Sequence, residues 1–88
     1  MSRKYHLLKK FGITTEQYDD LLREQRGCCA VCSRPSTDFK SRLAVDHDHQ
    51  SGVIRGLLCF NCNKYVVGRH RKDKGAELLR SAYEYLIR

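Results

Sequence analysis

No run of apolar residues approaches the roughly 18 that a membrane-spanning helix needs. Arg3, Lys4, Lys9 and Lys10 break any apolar start that a secretory signal would require. No membrane partner is therefore expected, and a reducing cytoplasm is the expected setting, where thiolates stay available for metal. Proline occurs once, at Pro35, and the chain has no repeat, low-complexity tract or linker that would divide it. Its 88 residues are thus read as a single domain: a helical lead-in over 1–27, a core over 28–70 and a last helix over 71–88. Acidic residues are also scarce, 10 Asp and Glu against 17 Lys and Arg, for a formal charge of +7. A small domain this basic suits a polyanion, and nucleic acid is the commonest one.

A chain this short buries little surface and commonly needs a metal or disulfides to be stable. The odd number of cysteines, five, argues against a pure disulfide framework. Cys29-x-x-Cys32 and Cys59-x-x-Cys62 have the spacing of two zinc knuckles, together the ligand set of a tetrahedral structural zinc. Cys28 is adjacent to Cys29 but breaks the two-residue spacing, and is read as a small buried hydrophobe.

Before the first pair, Tyr5, Leu7, Leu8 and Phe11 lie among basic residues and suggest a short helix ended by Gly12. Thr14 with Gln17 fits a capping box for a second helix that carries Tyr18, Leu21 and Leu22 and stops at Gly27. That helix should lead into the first zinc pair and pack beneath the site; nothing catalytic is legible before Cys28. Residues 33–41 read as loop. Leu43-Ala44-Val45 reads as a strand, Gln50-Ser51-Gly52 as a turn, and residues 53–58 as the partner strand arriving at Cys59. From about Phe60 a helix should carry Cys62, Asn63, Tyr65 and Val66. The last helix should start near Asp73, with Leu79, Ala82, Tyr83 and Leu86 as its packing face. The tyrosines show no pattern suggesting base stacking.

Between the two cysteine pairs lies Val45-Asp46-His47-Asp48-His49. Histidine takes a proton near neutral pH, and carboxylates hold hard cations. Hydrolysis of a phosphodiester needs a water deprotonated, charge on the phosphate offset and the leaving oxygen stabilised. A histidine performs the first, and one divalent ion the other two. Magnesium keeps several waters, so one or two protein oxygens suffice to hold it. Asp46 and the side-chain carbonyl of Asn63 are the candidates. Because successive strand residues face opposite ways, His47 reaches the same phosphate only across a kink.

The run Cys29-x2-Cys32, Val45-Asp46-His47-Asp48-His49, Val53-x-Arg55-Gly56-Leu57-Leu58-Cys59-x2-Cys62-Asn63 resembles the recombination endonuclease VII family, within the HNH or His-Me finger nucleases. The resemblance implies a small zinc-stabilised α+β domain, a ββα-metal core flanked by N- and C-terminal helices. It implies a structural zinc and a separate catalytic magnesium or manganese, the latter on Asp46 and Asn63. His47 would be the general base, with His49 shaping the site. Products would carry a 5′-phosphate and a 3′-hydroxyl, and a phage origin with action in the host cytoplasm would follow. Some members carry an acid three residues after the asparagine, where this chain has Val66.

The expected function is therefore a metal-dependent DNA endonuclease that nicks or cleaves duplex or branched DNA. Arg55, Lys64, Arg69, Arg71 and Lys72 are the expected backbone contacts, which position DNA without reading its sequence. Coordinated cutting of a four-way junction needs two active sites, so nicking or simple cleavage is expected of one chain. A homodimer or a phage protein is the expected class of protein partner. Two rival readings share the cysteines and the charge: a non-catalytic zinc-ribbon DNA-binding or adaptor module, and a nuclease subunit completed by a partner. The former leaves the grouping of Asp46, His47, His49 and Asn63 without a purpose. A zinc deaminase is excluded, because His-x-Glu and a proline before the cysteine pair are both missing.

Overall fold

In a computed structural model, which describes residues 3–72 and 74–88, the chain is a small α+β fold around one β-hairpin. Helix α1 (Arg3–Phe11) ends where Gly12 turns left-handed at φ +70°. Helix α2 (Thr15–Glu24) opens on the expected capping box. The Gln17 amide N–H donates to the Thr14 hydroxyl at 3.0 Å, and the Thr14 N–H to the Gln17 side chain at 2.8 Å. The helix stops at Gly27, left-handed at φ +72° as expected, although the regular winding ends earlier. The last helical residue is Glu24, and Arg26 is already left-handed at φ +58°. Arg26 N–H bonds to the Arg23 carbonyl and Gly27 N–H to the Leu22 carbonyl, a Schellman closure.

Strand β1 (Ala44–His47) runs two residues further than its apolar stretch suggests and includes Asp46 and His47. Strand β2 (Ile54–Leu58) pairs with it antiparallel, Val45 opposite Leu57 and Asp46 opposite Gly56. The register then shifts so that His47 faces Ile54, leaving Arg55 as an extra residue on β2. At the hairpin tip, Asp48 accepts from the Gln50 and Ser51 amides at 2.8 and 2.9 Å and fixes the turn. Those two N–H groups hold its carboxyl below the ordinary range.

Leu57 is fully buried, and Leu7, Ile13, Tyr18, Leu43, Val45 and Leu58 gather around it. The zinc-pair cysteines Cys29, Cys59 and Cys62 complete the core. Tyr18 on α2 donates its hydroxyl to the Leu43 carbonyl at 2.5 Å, pinning α2 to the approach to β1.

After β2 the chain becomes helical at Phe60, but Cys62–Val67 is wound as a π-helical turn followed by a 3-10 turn over Gly68–His70. Helix α3 (Gly75–Leu86) starts after Lys74; the expected cap, Asp73, lies outside the described residues. The expectation that Leu79, Ala82, Tyr83 and Leu86 form a packing face is not met within this chain. Tyr83 is 62% exposed and Leu86 78%. The helix docks through its first residue, the buried Gly75 against His70, so helical spacing alone misjudges its stripe. Among the described residues, no helix is long and apolar enough to cross a membrane.

Candidate metal centres and active site

The loop after α2 and the start of the helical segment after β2 bring four sulfurs together. The Sγ atoms of Cys29, Cys32, Cys59 and Cys62 all lie within 4.8 Å of one another, and Cys32 to Cys59 measures 3.9 Å. Four thiolates at about 2.3 Å from a tetrahedral zinc stand about 3.8 Å apart, so the cage fits that ion. Backbone N–H groups support the sulfurs: Cys59 donates to Cys29 Sγ at 3.4 Å and Cys62 to Cys59 Sγ at 3.5 Å. Burial raises the Cys29 thiol, but amides of Cys32, Cys59 and Val31 outweigh it and pull it down to about 6. Burial and three neighbouring sulfurs push Cys62 up. Four sulfurs in a tetrahedral-sized cage are a donor set consistent with a structural zinc. Cys28 is outside the cage, as expected. It is half-buried rather than buried, with Sγ 3.4 Å from the Arg26 carbonyl.

A second cluster forms where β1, β2 and the helical segment after Cys59 converge. Asp46 is 5% exposed yet charged. Arg55 grips both of its oxygens, Nε to Oδ2 at 2.8 Å and Nη2 to Oδ1 at 3.2 Å. Arg71 adds Nη2 to the same Oδ1 at 2.9 Å. Burial would raise this carboxyl; the hydrogen bonds and charges of the two arginines overcome it and hold the group below the usual range. The same Nη2 of Arg71 donates to Asn63 Oδ1 at 2.8 Å. The two oxygens expected to hold a catalytic ion therefore converge on one point, and that point carries positive charge. A carboxylate oxygen and an amide oxygen are the hard donors that magnesium or manganese takes, though here a guanidinium stands between them.

His47, the next residue along, opens elsewhere. Its ring stacks on His49, centroids 4.6 Å apart and planes at 22°, and meets Phe11 at 5.7 Å. These rings line a concavity of about 350 Å³ with Lys10, Asp48 and Ser51, whereas Asp46 and Arg55 line a separate one of about 270 Å³. The register shift falls between Asp46 and His47, where the expected kink was needed. The structure thus brings Asp46, Asn63, Arg55 and Arg71 together, and His47 with His49, without merging the two groups.

Among the basic residues, Arg55 and Arg71 face the Asp46 carboxylate. Lys64 sits 5.4 Å over the rings of both Phe60 and Tyr65, and Arg69 sits 5.2 Å over Tyr65. Lys72 is exposed. Three contributors escaped the sequence reading. Lys10 and Phe11 reach the His47 concavity from α1, though nothing before Cys28 looked catalytic; contact across 36 residues leaves no local spacing signal. Gln25 is the third. Its amide donates to the Leu57 and Cys28 carbonyls, each at 2.9 Å, and its oxygen accepts from the Leu57 N–H at 2.8 Å. One side chain thereby imitates a third strand along β2. Gly56 makes room for it, since a Cβ there would lie 2.9 Å from Gln25 Oε1.

The sequence profile of the recombination endonuclease VII family matches residues 4–88, nearly the whole chain. The chain belongs to that family. Among curated proteins, this endonuclease VII family chain is similar to the "Gene 59 protein" of Mycobacterium phage D29, 45% identical over 80 residues. It is similar also to the "Gene 59 protein" of Mycobacterium phage L5, 43% identical over 81 residues. The matches cover 91% and 92% of this chain but 47% and 48% of those proteins, so it spans about half the length of the relatives. No solved structure gives a significant match.

Proposed function

We propose that this chain is a metal-dependent DNA endonuclease of the HNH, His-Me finger type, acting by one-ion hydrolysis of a phosphodiester. One observation carries the reading: Asp46 Oδ1 and Asn63 Oδ1 converge on a single cationic group beside the zinc cage. Neither zinc binding nor general affinity for nucleic acid requires that convergence. The ββα frame is the hairpin β1–β2 with the helical segment from Phe60, and the zinc cage joins it to the end of α2.

A magnesium or manganese ion bound by those two oxygens supplies Lewis-acid stabilisation of the phosphate and of the leaving oxygen. The remaining steps belong to the chain. His47 accepts a proton from a water, the water oxygen bonds to phosphorus, and the bond to the 3′ oxygen breaks. That oxygen takes up a proton, leaving a 3′-hydroxyl and a 5′-phosphate. His49, stacked on His47, sets the plane of the base and contacts phosphate, and Asp48 holds the tip on which both stand. Lys64, Arg69 and Lys72 position the DNA backbone, in the cytoplasm of a phage-infected host. A second reading, a nuclease unit completed by a further segment, a second copy or a phage protein, is favoured by the separate openings of Asp46 and His47.

The test is plasmid nicking by zinc-loaded protein with magnesium, manganese or neither, beside His47→Ala. Ion-dependent nicking lost in His47→Ala, with zinc content unchanged, is the expected outcome. Equal nicking by both proteins refutes the assignment of the base. Tight DNA binding without nicking selects the second reading.

A further inference from the structure

The proposed reading leaves Arg71 in an odd place. A backbone-contacting arginine should point outward, yet its Nη2 lies 2.9 Å from Asp46 Oδ1 and 2.8 Å from Asn63 Oδ1. Those are the two oxygens assigned to the divalent ion. A metal cannot take both while a guanidinium nitrogen stands between them, because magnesium requires oxygens at about 2.0–2.1 Å. Charge opposes it too. Asp46 already faces two guanidinium groups, so an arriving dication meets net positive charge before it meets a ligand.

The inward pose is built into the backbone. Gly68 lets the Arg71 side chain lie back over the π-helical turn; a Cβ at that position would sit 3.0 Å from Arg71 Nη1 and 2.5 Å from the Asn63 carbonyl oxygen. His70 Nδ1 is hydrogen-bonded to the Val66 carbonyl at 2.6 Å, and Gly75 closes on the His70 carbonyl, fixing the chain on either side of Arg71. The side chain keeps 25% of its surface in solvent, so it has a way out.

Resting on the endonuclease reading, we infer that Arg71 is the resident cation of the divalent site, which it holds closed until a DNA phosphate draws its guanidinium away. A phosphate is the competitor that suits it, since an arginine fork pairs with phosphate oxygens as well as with a carboxylate. Release frees Asn63 Oδ1 and leaves Asp46 Oδ1 with only the longer 3.2 Å contact to Arg55, opening both to the ion at the moment a phosphate arrives. Ion and DNA therefore bind with positive coupling, and the coupling is reciprocal. The free protein avoids holding an activated ion with no substrate beside it.

The experiment measures manganese affinity directly, by electron paramagnetic resonance of zinc-loaded protein without DNA. Wild type, Arg71→Ala, Asp46→Asn and the double variant are compared, with zinc content and circular dichroism confirming the fold of each. Arg71→Ala should bind manganese roughly tenfold more tightly than wild type, about 1.4 kcal/mol, and the double variant should lose the gain. In His47→Ala protein, which leaves DNA uncut, a short duplex should tighten manganese and manganese should tighten the duplex by the same factor. This second measurement stands even where Arg71→Ala fails to fold. Unchanged or weaker manganese binding in Arg71→Ala, or no coupling in the His47→Ala protein, overturns the inference. Loss of manganese binding in Asp46→Asn would in that case leave the endonuclease reading intact; manganese binding indifferent to Asp46 would remove both.

Discussion

Replacing Gln25 by alanine should destabilise this domain far more than its place just beyond a helix end suggests. The side chain makes three hydrogen bonds at 2.8–2.9 Å and serves as the missing neighbour of β2. Leu57 is 0% exposed, so its N–H loses its partner with no water to replace it. A buried donor left unsatisfied costs about 1–3 kcal/mol. The Leu57 carbonyl keeps the Ala30 N–H at 3.1 Å, which limits the damage on that side. The expected loss is about 2 kcal/mol. Because folding and zinc binding are coupled in such domains, the same loss should appear as a roughly 30-fold weaker apparent zinc affinity. The assay is urea unfolding at fixed free zinc, paired with competition against a zinc chelator. Gln25→Glu sharpens the argument. It keeps an acceptor for Leu57 N–H but turns a carboxylate oxygen toward the Leu57 and Cys28 carbonyls, so it should be at least as damaging. A Gln25→Ala protein within 0.5 kcal/mol of wild type, about the spread of ordinary surface substitutions, would refute the third-strand role.

Two further outcomes concern the frame. Cys59→Ser should lose zinc and unfold the domain, seen by metal analysis and circular dichroism, because three remaining sulfurs no longer close the cage; a folded, active protein contradicts the structural role. Gly75→Ala puts a Cβ 1.9 Å from the His70 carbonyl oxygen, a backbone atom that cannot swing aside. Overpacking of this kind costs about 1–3 kcal/mol, so thermal unfolding should fall by roughly 5–15 °C, and an unchanged midpoint would mean that α3 docks differently.

What the sequence made legible is what local chemistry specifies. The Thr14–Gln17 box, the choice of Cys29 over Cys28 and the hairpin between the cysteine pairs each follow from spacing within a few residues, and each is present. The α3 stripe misled because amphipathic spacing reports a face, not whether this chain supplies a neighbour for it. A π-helical turn at Cys62–Val67 stands where ordinary helix is expected. The convergence of Asp46 and Asn63 was expected from chemistry and family resemblance. The cation between them was not, because Arg71 read as one more member of a basic run. Its inward pose depends on Gly68 and on the turn at His70, which no charge pattern reveals.

The extra residue on β2 makes the hairpin unequal in its tolerance of insertions and deletions. On the zinc side, Arg55 belongs to a bulge, and a bulge re-aims the side chain it carries; here that side chain closes on Asp46. Deleting one residue between Arg55 and Cys59 would slide Asp46 past its partners and swap the two faces of the strand. The tip is different. Its ladder ends at the Asp48–Val53 bond, and beyond His49, which stacks on His47, the three residues 50–52 answer to the Asp48 turn. Length variation among relatives should therefore collect at residues 50–52, and the interval from Arg55 to Cys59 should stay constant, like a ruler between the carboxylate and the metal cage.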